Sequence, residues 1–173
     1  MEPFYKIVHA RQHHLSLLPD IELAAAALLV GHAPASVLNE TTAEQDFWEA
    51  QAQGRLWVAL AGDAPVGFAH VEILGSGTAH LEEIDVHPDH GRRGLGTRLV
   101  AAVCEWAASA GYRELTLTTF RDVPWNMPFY ARLGFQEVPA GELSAELIAV
   151  VLDETRRGLD PARRVVMRRQ CAV

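Results

Sequence analysis

The sequence predicts an α/β domain in which a mixed sheet is flanked by helices. Three observations carry that expectation. Runs with the two-residue period of strands alternate along the chain with runs at helical spacing. A glycine-punctuated loop at 91–96 joins a strand to a helix. The 173 residues contain no repeat and no low-complexity linker, which suits one domain, 1–173, large enough to bury a core.

Tyr5 to Ala10 is the first expected strand. His13 to Val30 and Thr42 to Gln53 read as helices, the second opened by the capping chemistry of Thr41, Thr42 and Glu44. Arg55 to Ala61 and Pro65 to Leu74 are strands joined by the turn Gly62-Asp63-Ala64, a hairpin signal. Thr78 to Val86 is the fourth strand. A helix then runs to about Ala110, with Leu95, Leu99, Val103 and Trp106 at helical spacing, and Gly111 stops it. Arg113 to Phe120 is the fifth strand, Asn126 to Leu133 a short helix and Phe135 to Val138 the sixth strand. Gly141 to Arg157 is expected as helix and Arg163 to Gln170 as the closing strand.

The stretch from His80 to Val100 is the most informative. Its fourth strand, with Ile84 and Val86, passes through Gly91, Arg92, Arg93, Gly94 and Gly96 into a glycine-punctuated helix start that includes Thr97. Glycines let a backbone approach a ligand closely, and the unsatisfied N–H groups of a helix start point toward an anion. A Walker loop needs Gly-Lys followed by Ser or Thr, and Lys6 is the only lysine in the chain. A dinucleotide fingerprint needs G-x-G-x-x-G, whereas Gly91, Gly94 and Gly96 read G-x-x-G-x-G.

This segment, Val86-His87-Pro88 and then Gly91-Arg92-Arg93-Gly94-Leu95-Gly96, resembles the coenzyme A loop of the GNAT superfamily of N-acetyltransferases. That loop is usually written Arg/Gln-x-x-Gly-x-Gly/Ala after Val-x-Pro. The chain departs from it at Gly91, where the family prefers Arg or Gln, and Arg92 is expected to supply the displaced charge. A second block is similar to the same family: Phe129-Tyr130-Ala131-Arg132-Leu133-Gly134-Phe135 matches its Tyr-x-x-x-Gly-Phe helix and turn. Asn126 lies four residues before Tyr130, on the same helical face. Many members carry their asparagine about two turns ahead of the tyrosine, where this chain has Val123.

The resemblance implies a GNAT-like sheet splayed between its fourth and fifth strands, with acetyl-coenzyme A as cosubstrate in the gap. Ile84, Val86, Gly91, Arg92, Arg93, Gly94, Gly96, Thr97 and Asn126 are then the cofactor-binding candidates. Tyr130 would give a proton to the departing thiolate. The acceptor would be the primary amine of a small molecule. Acetylation of a protein or peptide amino group, or a non-catalytic coenzyme A binding or sensing module, stay as alternatives, and a homodimer is compatible with the resemblance.

An alkylammonium has a pKa near ~10.4, so a base, direct or through water, is needed to free the nucleophile at neutral pH. Glu82 and Glu83 are the catalytic candidates. Adjacent on a strand, they are expected to point to opposite faces, one into the cleft. Leu81-Glu82-Glu83 resembles the Leu-Glu-Asp of spermidine/spermine acetyltransferases, which places Glu82 first.

Other classes fit poorly. A net charge of −7 argues against a general nucleic-acid binder, and the arginines crowded between Arg156 and Arg169 are expected on a solvated surface with Asp153, Glu154 and Asp160 as partners. No uninterrupted apolar stretch of about twenty residues is present, so no membrane span is expected, and the N-terminal segment shows no signal-peptide pattern. His80, His87 and His90, with Glu82 and Asp85, come without a metal-ligand motif, so no metal is expected. Two cysteines, Cys104 and Cys171, make no disulfide framework and suit a cytoplasmic protein.

Overall fold

The computed structural model describes residues 3–171. Seven strands form one sheet: β1 (Tyr5–His9), β2 (Leu56–Ala61), β3 (Ala64–Leu74), β4 (Thr78–Val86), β5 (Glu114–Phe120), β6 (Gln136–Glu137) and β7 (Arg164–Gln170). Their order across the sheet is β1-β2-β3-β4-β5-β7-β6. β1 to β4 form an antiparallel meander, β4 and β5 run parallel, and β5, β7 and β6 are antiparallel again. The parallel step requires a crossover, which is the long helix α4 (Leu95–Ser109).

The remaining helices are α1 (Leu18–Ala26), α2 (Ala35–Leu38), α3 (Glu44–Ala52), α5 (Met127–Arg132) and α6 (Ala145–Arg156). Alternation along each strand sends its side chains to two cores. On one face, Leu95, Leu99, Val103 and Ala107 of α4 recur every fourth residue and meet Trp57, Ala59, Val71, Leu81, Leu117 and Met167 of the sheet. On the other, Leu18 and Ile21 of α1 and Phe47 and Ala50 of α3 pack on Leu56, Val58 and Phe68. The Leu147 side of α6 covers Val138 and Val166 on that same second face.

Four helical expectations are corrected. The span His13 to Val30 is not one helix: 3-10 turns occupy Gln12–Leu17 and Ala27–Leu29 around α1. Pro19, at the helix start, has no N–H for the preceding turn and so resets the ladder there. Thr42 does not cap α3. Its N–H and hydroxyl both donate to the Glu22 carboxylate of α1, and Ala43 is left as an N-cap without a side-chain bond. Gly141 falls outside α6, which starts after Ser144, whose hydroxyl accepts from the Leu147 N–H at 3.2 Å. No helix is expected between Val30 and Thr42, where Pro34 starts the one-turn α2.

Candidate active site

β4 and β5 pair only through Ala79 with Leu115, His80 with Thr116 and Leu81 with Leu117. Beyond Leu81 they separate, while β5 stays paired with β7 along its whole length. The separation starts at an irregularity in β4. Val71 of β3 faces Leu81 and its neighbour His70 faces Glu83, so Glu82 is an extra residue without an opposite. Such a bulge twists its strand away from the regular plane. The space left between the diverging strands is a cavity of about 700 Å³, floored by Glu82, Glu83, Ile84, Asp85 and Val86 and closed from the far side by Tyr130.

The bulge overturns the expectation that Glu82 and Glu83 face opposite sides. Leu81 and Ile84 both join the α4 face although they are three residues apart, which is possible only if the bulge absorbs one step of the alternation. Glu83 and Asp85 then lie on the opposite face, directly across from His70 and Phe68 of β3, and Glu82 opens into the same cavity. Glu83, Asp85 and Glu22 bring carboxylate oxygens within 4.8 Å of one another.

Burial dominates the electrostatics of this wall. It raises Glu82 above the ordinary carboxylate range, the nearby His70 acting in the opposite sense. Glu83 is raised well above its ordinary value, first by burial and then by the Asp85 charge. Asp85 is raised to about 7, again by burial, with Glu83 hydrogen-bonding to it and Glu22 adding repulsion. Tyr130 is held far above a free phenol, first by burial and next by the Glu83 and Asp85 charges, so it keeps its proton at neutral pH.

His80 borders the wall but is not a titrating group near neutrality. Thr116 donates its hydroxyl proton to Ala79 O at 3.2 Å, so His80 Nδ1 donates to Thr116 Oγ1 at 2.8 Å. Desolvation holds the ring neutral down to about 4, with Nε2 directed at Glu82 4.0 Å away.

Tyr130 sits on α5, whose N-cap is Asn126, and Asn126 O accepts from the Tyr130 N–H at 3.3 Å. Both line the cavity. Val123, at the position where many family members carry asparagine, is fully buried against Phe120 and Leu159. Asn126 lines the cavity, whereas Val123 belongs to a core.

The loop Gly91 to Thr97 lies outside the cavity wall, at the N-terminus of α4. Its backbone alternates in handedness: Arg92 has φ 58° and Gly94 has φ 74°, with Arg93 between them outside the left-handed region. That alternation turns successive N–H groups into one concavity, and the first turn of α4 adds amides without a helical partner. Gly94 has open space where a Cβ would be. Gly96 does not, since its Cβ would come within 3.2 Å of Phe129, so a large part of its role is to let α4 and α5 touch. Thr97 is exposed, and Arg93 lies over the Tyr5 ring at 6.0 Å.

The two arginines of the cavity are committed. Arg157 binds Glu40 at 2.7 Å, and Arg164 binds the buried Glu154 at 2.8 Å and Thr118 at 3.0 Å. The expectation of exposed local pairs therefore fails for Arg164, which is drawn in because Glu154 faces the interior. Sequence pattern missed Asp85 and Glu22. For Asp85 the signal existed, because a residue two beyond Glu83 shares its face. For Glu22 it did not, because α1 meets β4 only in three dimensions.

Among known proteins, the acetyltransferase (GNAT) family model matches residues 24–135. A mycothiol acetyltransferase of Parafrankia sp. is 40% identical over 78 residues, covering 45% of this chain and 23% of that protein. An uncharacterised N-acetyltransferase of Methanocaldococcus jannaschii is 33% identical over 87 residues, 47% of this chain and 38% of that protein. The chain thus spans less than half the length of these relatives. The PaiA N-acetyltransferase of Thermoplasma acidophilum, solved with coenzyme A, superposes with a TM-score of 0.74 at 15% identity, covering 96% of this chain and 99% of that one. The ribosomal-protein-S18-alanine N-acetyltransferase of Escherichia coli superposes with a TM-score of 0.67 at 19% identity, covering 98% and 96%. The likeness to these structures is one of fold, a sheet parted between β4 and β5, and the family match spans α3, the β2 to β5 strands, α4 and the Tyr130 helix. This chain belongs to the GNAT family of acetyltransferases.

Proposed function

We propose that the protein transfers the acetyl group of acetyl-coenzyme A directly to a primary amine of a small molecule. The observation that carries this reading is one cavity in which the parted edge of β4, a wall of carboxyls and the Tyr130 hydroxyl meet. The residues present fit the cosubstrate. The alternating backbone from Arg92 to Gly94 and the first amides of α4 form an anion cradle, and the unpaired edge of β4 at Ile84 to Val86 leaves backbone groups for an extended arm. Acetyl-coenzyme A supplies an activated acyl carbon on a sulfur leaving group.

The chain's own groups do the rest. Gly91 to Thr97 grip the pyrophosphate through backbone N–H groups, with Arg92 and Arg93 adding positive charge. Asn126 holds the arm from the α5 side. N–H groups at the end of β4 polarise the carbonyl under attack. Glu82 and Glu83, with the carboxyl beside them, form the acidic wall from which the acceptor of the ammonium's proton is drawn. Tyr130, kept protonated by burial, gives its proton to the sulfur. Two free cysteines support a cytoplasmic setting, and among the described residues no helix is long and apolar enough to cross a membrane.

Incubation with acetyl-coenzyme A and a panel of amines, read by release of free thiol, tests the proposal. Thiol release that depends on the amine is the expected result. Coenzyme A binding without thiol release would support the sensing-module alternative, and activity confined to peptide amino termini would support the protein-acetylation alternative.

The cradle has its own test. Gly94→Ala places a Cβ at φ 74°, a strain of about 1 kcal/mol, and disturbs the alternation that aims the amides. Gly111→Ala imposes the same strain at φ 84°, in equally open space, beyond the far end of α4. Both variants are expected to lose a few degrees of melting temperature. Only Gly94→Ala is expected to lose more than about 10-fold in coenzyme A affinity by calorimetry, since anion-binding amides act together.

A further inference from the structure

Three carboxyls, Glu22 from α1 and Glu83 and Asp85 from β4, converge within 4.8 Å, Glu83 and Asp85 at the cavity wall and Glu22 behind them. Proteins do not gather buried acids without a compensating group. One of the three is plainly compensated here: Glu22 accepts two hydrogen bonds from Thr42. Asp85 Oδ2 is not. It is closed off from solvent and has no hydrogen-bond partner among the described residues. Asp85 lines the same cavity as Tyr130.

The surroundings narrow what the oxygen is for. The cavity presents Glu82, Glu83, Asp85 and Asp153 to a ligand, while Arg157 and Arg164 are occupied by Glu40 and Glu154. A ligand carboxylate would find no uncommitted arginine in this wall and would face several acids. A cation finds an acceptor oxygen waiting.

We propose that Asp85 Oδ2 receives the ammonium of the acceptor and takes its proton, and that the acceptor is therefore a cationic alkylamine with no carboxylate beside the amine. This rests on the acetyltransferase reading above. The protons balance. The ammonium gives one proton to Asp85, and the freed nitrogen lone pair forms the bond to the acyl carbon as the C–S bond breaks. The sulfur leaves with the bonding pair and takes the Tyr130 proton, and the new amide nitrogen returns its surplus proton to the tyrosinate. Asp85 releases its proton to water. Glu83 and Glu22 are positioning residues: Glu83 lies on the same face two residues before Asp85, and the Glu22 charge favours proton uptake there.

The groups facing Asp85 are Glu83 on its own strand, Glu22 on α1 and Tyr130 on α5. A carboxyl raised from 3.8 to about 7 is protonated in the folded chain where the unfolded chain has lost its proton. Its contribution to stability is therefore present near pH 4 and lost as pH rises toward 7. Asp85→Asn should accordingly melt higher than the wild type at pH 8, which shows that the variant folds.

The closing experiment compares wild type with Asp85→Asn using acetyl-coenzyme A and 1,4-diaminobutane, L-glutamate and the weakly basic 2,2,2-trifluoroethylamine, with amine binding measured by calorimetry alongside turnover. The wild type should bind and acetylate 1,4-diaminobutane in preference to L-glutamate, its kcat/KM rising with pH through a midpoint near 7. Asp85→Asn should lose about 10²-fold in kcat/KM for 1,4-diaminobutane, lose that midpoint, and lose far less for trifluoroethylamine, which arrives neutral. Amine turnover with Asp85→Asn matching the wild type would overturn the assignment while leaving the acetyltransferase reading intact. Preference for L-glutamate would overturn the acceptor class. Failure of 1,4-diaminobutane to bind the wild type, or calcium binding lost in Asp85→Asn with amine binding unaltered, would overturn the ammonium site. Binding that depends on Asp85 without any turnover would keep the site and overturn the acetyltransferase reading.

Discussion

Tyr130→Phe is expected to lower kcat about 10²-fold, within the range for a positioned acid, with coenzyme A affinity and melting temperature nearly unchanged. The ring keeps its edge-on contacts with Phe129, at 5.0 Å, and Phe135, at 5.9 Å, because the substitution removes only the hydroxyl. Burial and the neighbouring acids keep that hydroxyl protonated at neutral pH, so a donor is in place when the thiolate departs, and the surplus proton of the new amide nitrogen replaces the one given up. The loss should shrink when the leaving group is a thiol of low pKa, because such a thiolate needs less help to depart. Full turnover in Tyr130→Phe together with unfolding of Tyr130→Ala would make the tyrosine a core residue and assign the proton to water.

Glu154→Ala is expected to cost about 3 kcal/mol of folding stability, the largest loss among the substitutions considered, because it strips a buried cation of its partner. Glu154 is 7% exposed, and its carboxylate holds Arg164 through two nitrogens, at 2.8 and 3.1 Å, while accepting from the Thr118 hydroxyl. Arg164 also stacks over Phe120 with 4.7 Å to the ring centroid. For a chain of this size the loss corresponds to about 6–12 °C in melting temperature. The double variant Glu154→Leu/Arg164→Met should recover most of it, since apolar groups of similar volume can replace a buried ion pair. A denaturant midpoint for Glu154→Ala within error of the wild type would show that water reaches the pair and screens it. Because both residues border the cavity, kcat/KM should be followed in the double variant as well.

The sequence alone determined the order and type of every long element. Strand alternation and the four-residue recurrence of Leu95, Leu99 and Val103 are local properties, written wherever one face of an element must be buried. It also located the glycine loop before α4, because Gly94 needs a backbone conformation that other residues resist, and the Gly134 turn that ends the helix of Tyr130. Helix boundaries were less legible where a local signal met a stronger tertiary partner. Thr42 reads as a cap by its spacing, yet α3 starts with Ala43 at the N-cap, and Thr42, one residue earlier, gives its N–H and hydroxyl to the buried Glu22 carboxylate, whose charge would otherwise be costly to bury.

The site itself was decided by tertiary structure. A bulge at Glu82 is set by how β3 and β4 pair, and nothing in Glu82 or Glu83 announces it. One extra residue reverses the side on which every later side chain falls, which is why two adjacent acids expected on opposite faces share one cavity. The convergence of Glu22 with Asp85 across 63 positions of sequence, and the burial that lifts Asp85 to about 7, arise only when α1 is laid against β4. Residue types are written in the chain, but a carboxyl's proton affinity depends on the water and charge around it, and those are properties of the folded molecule.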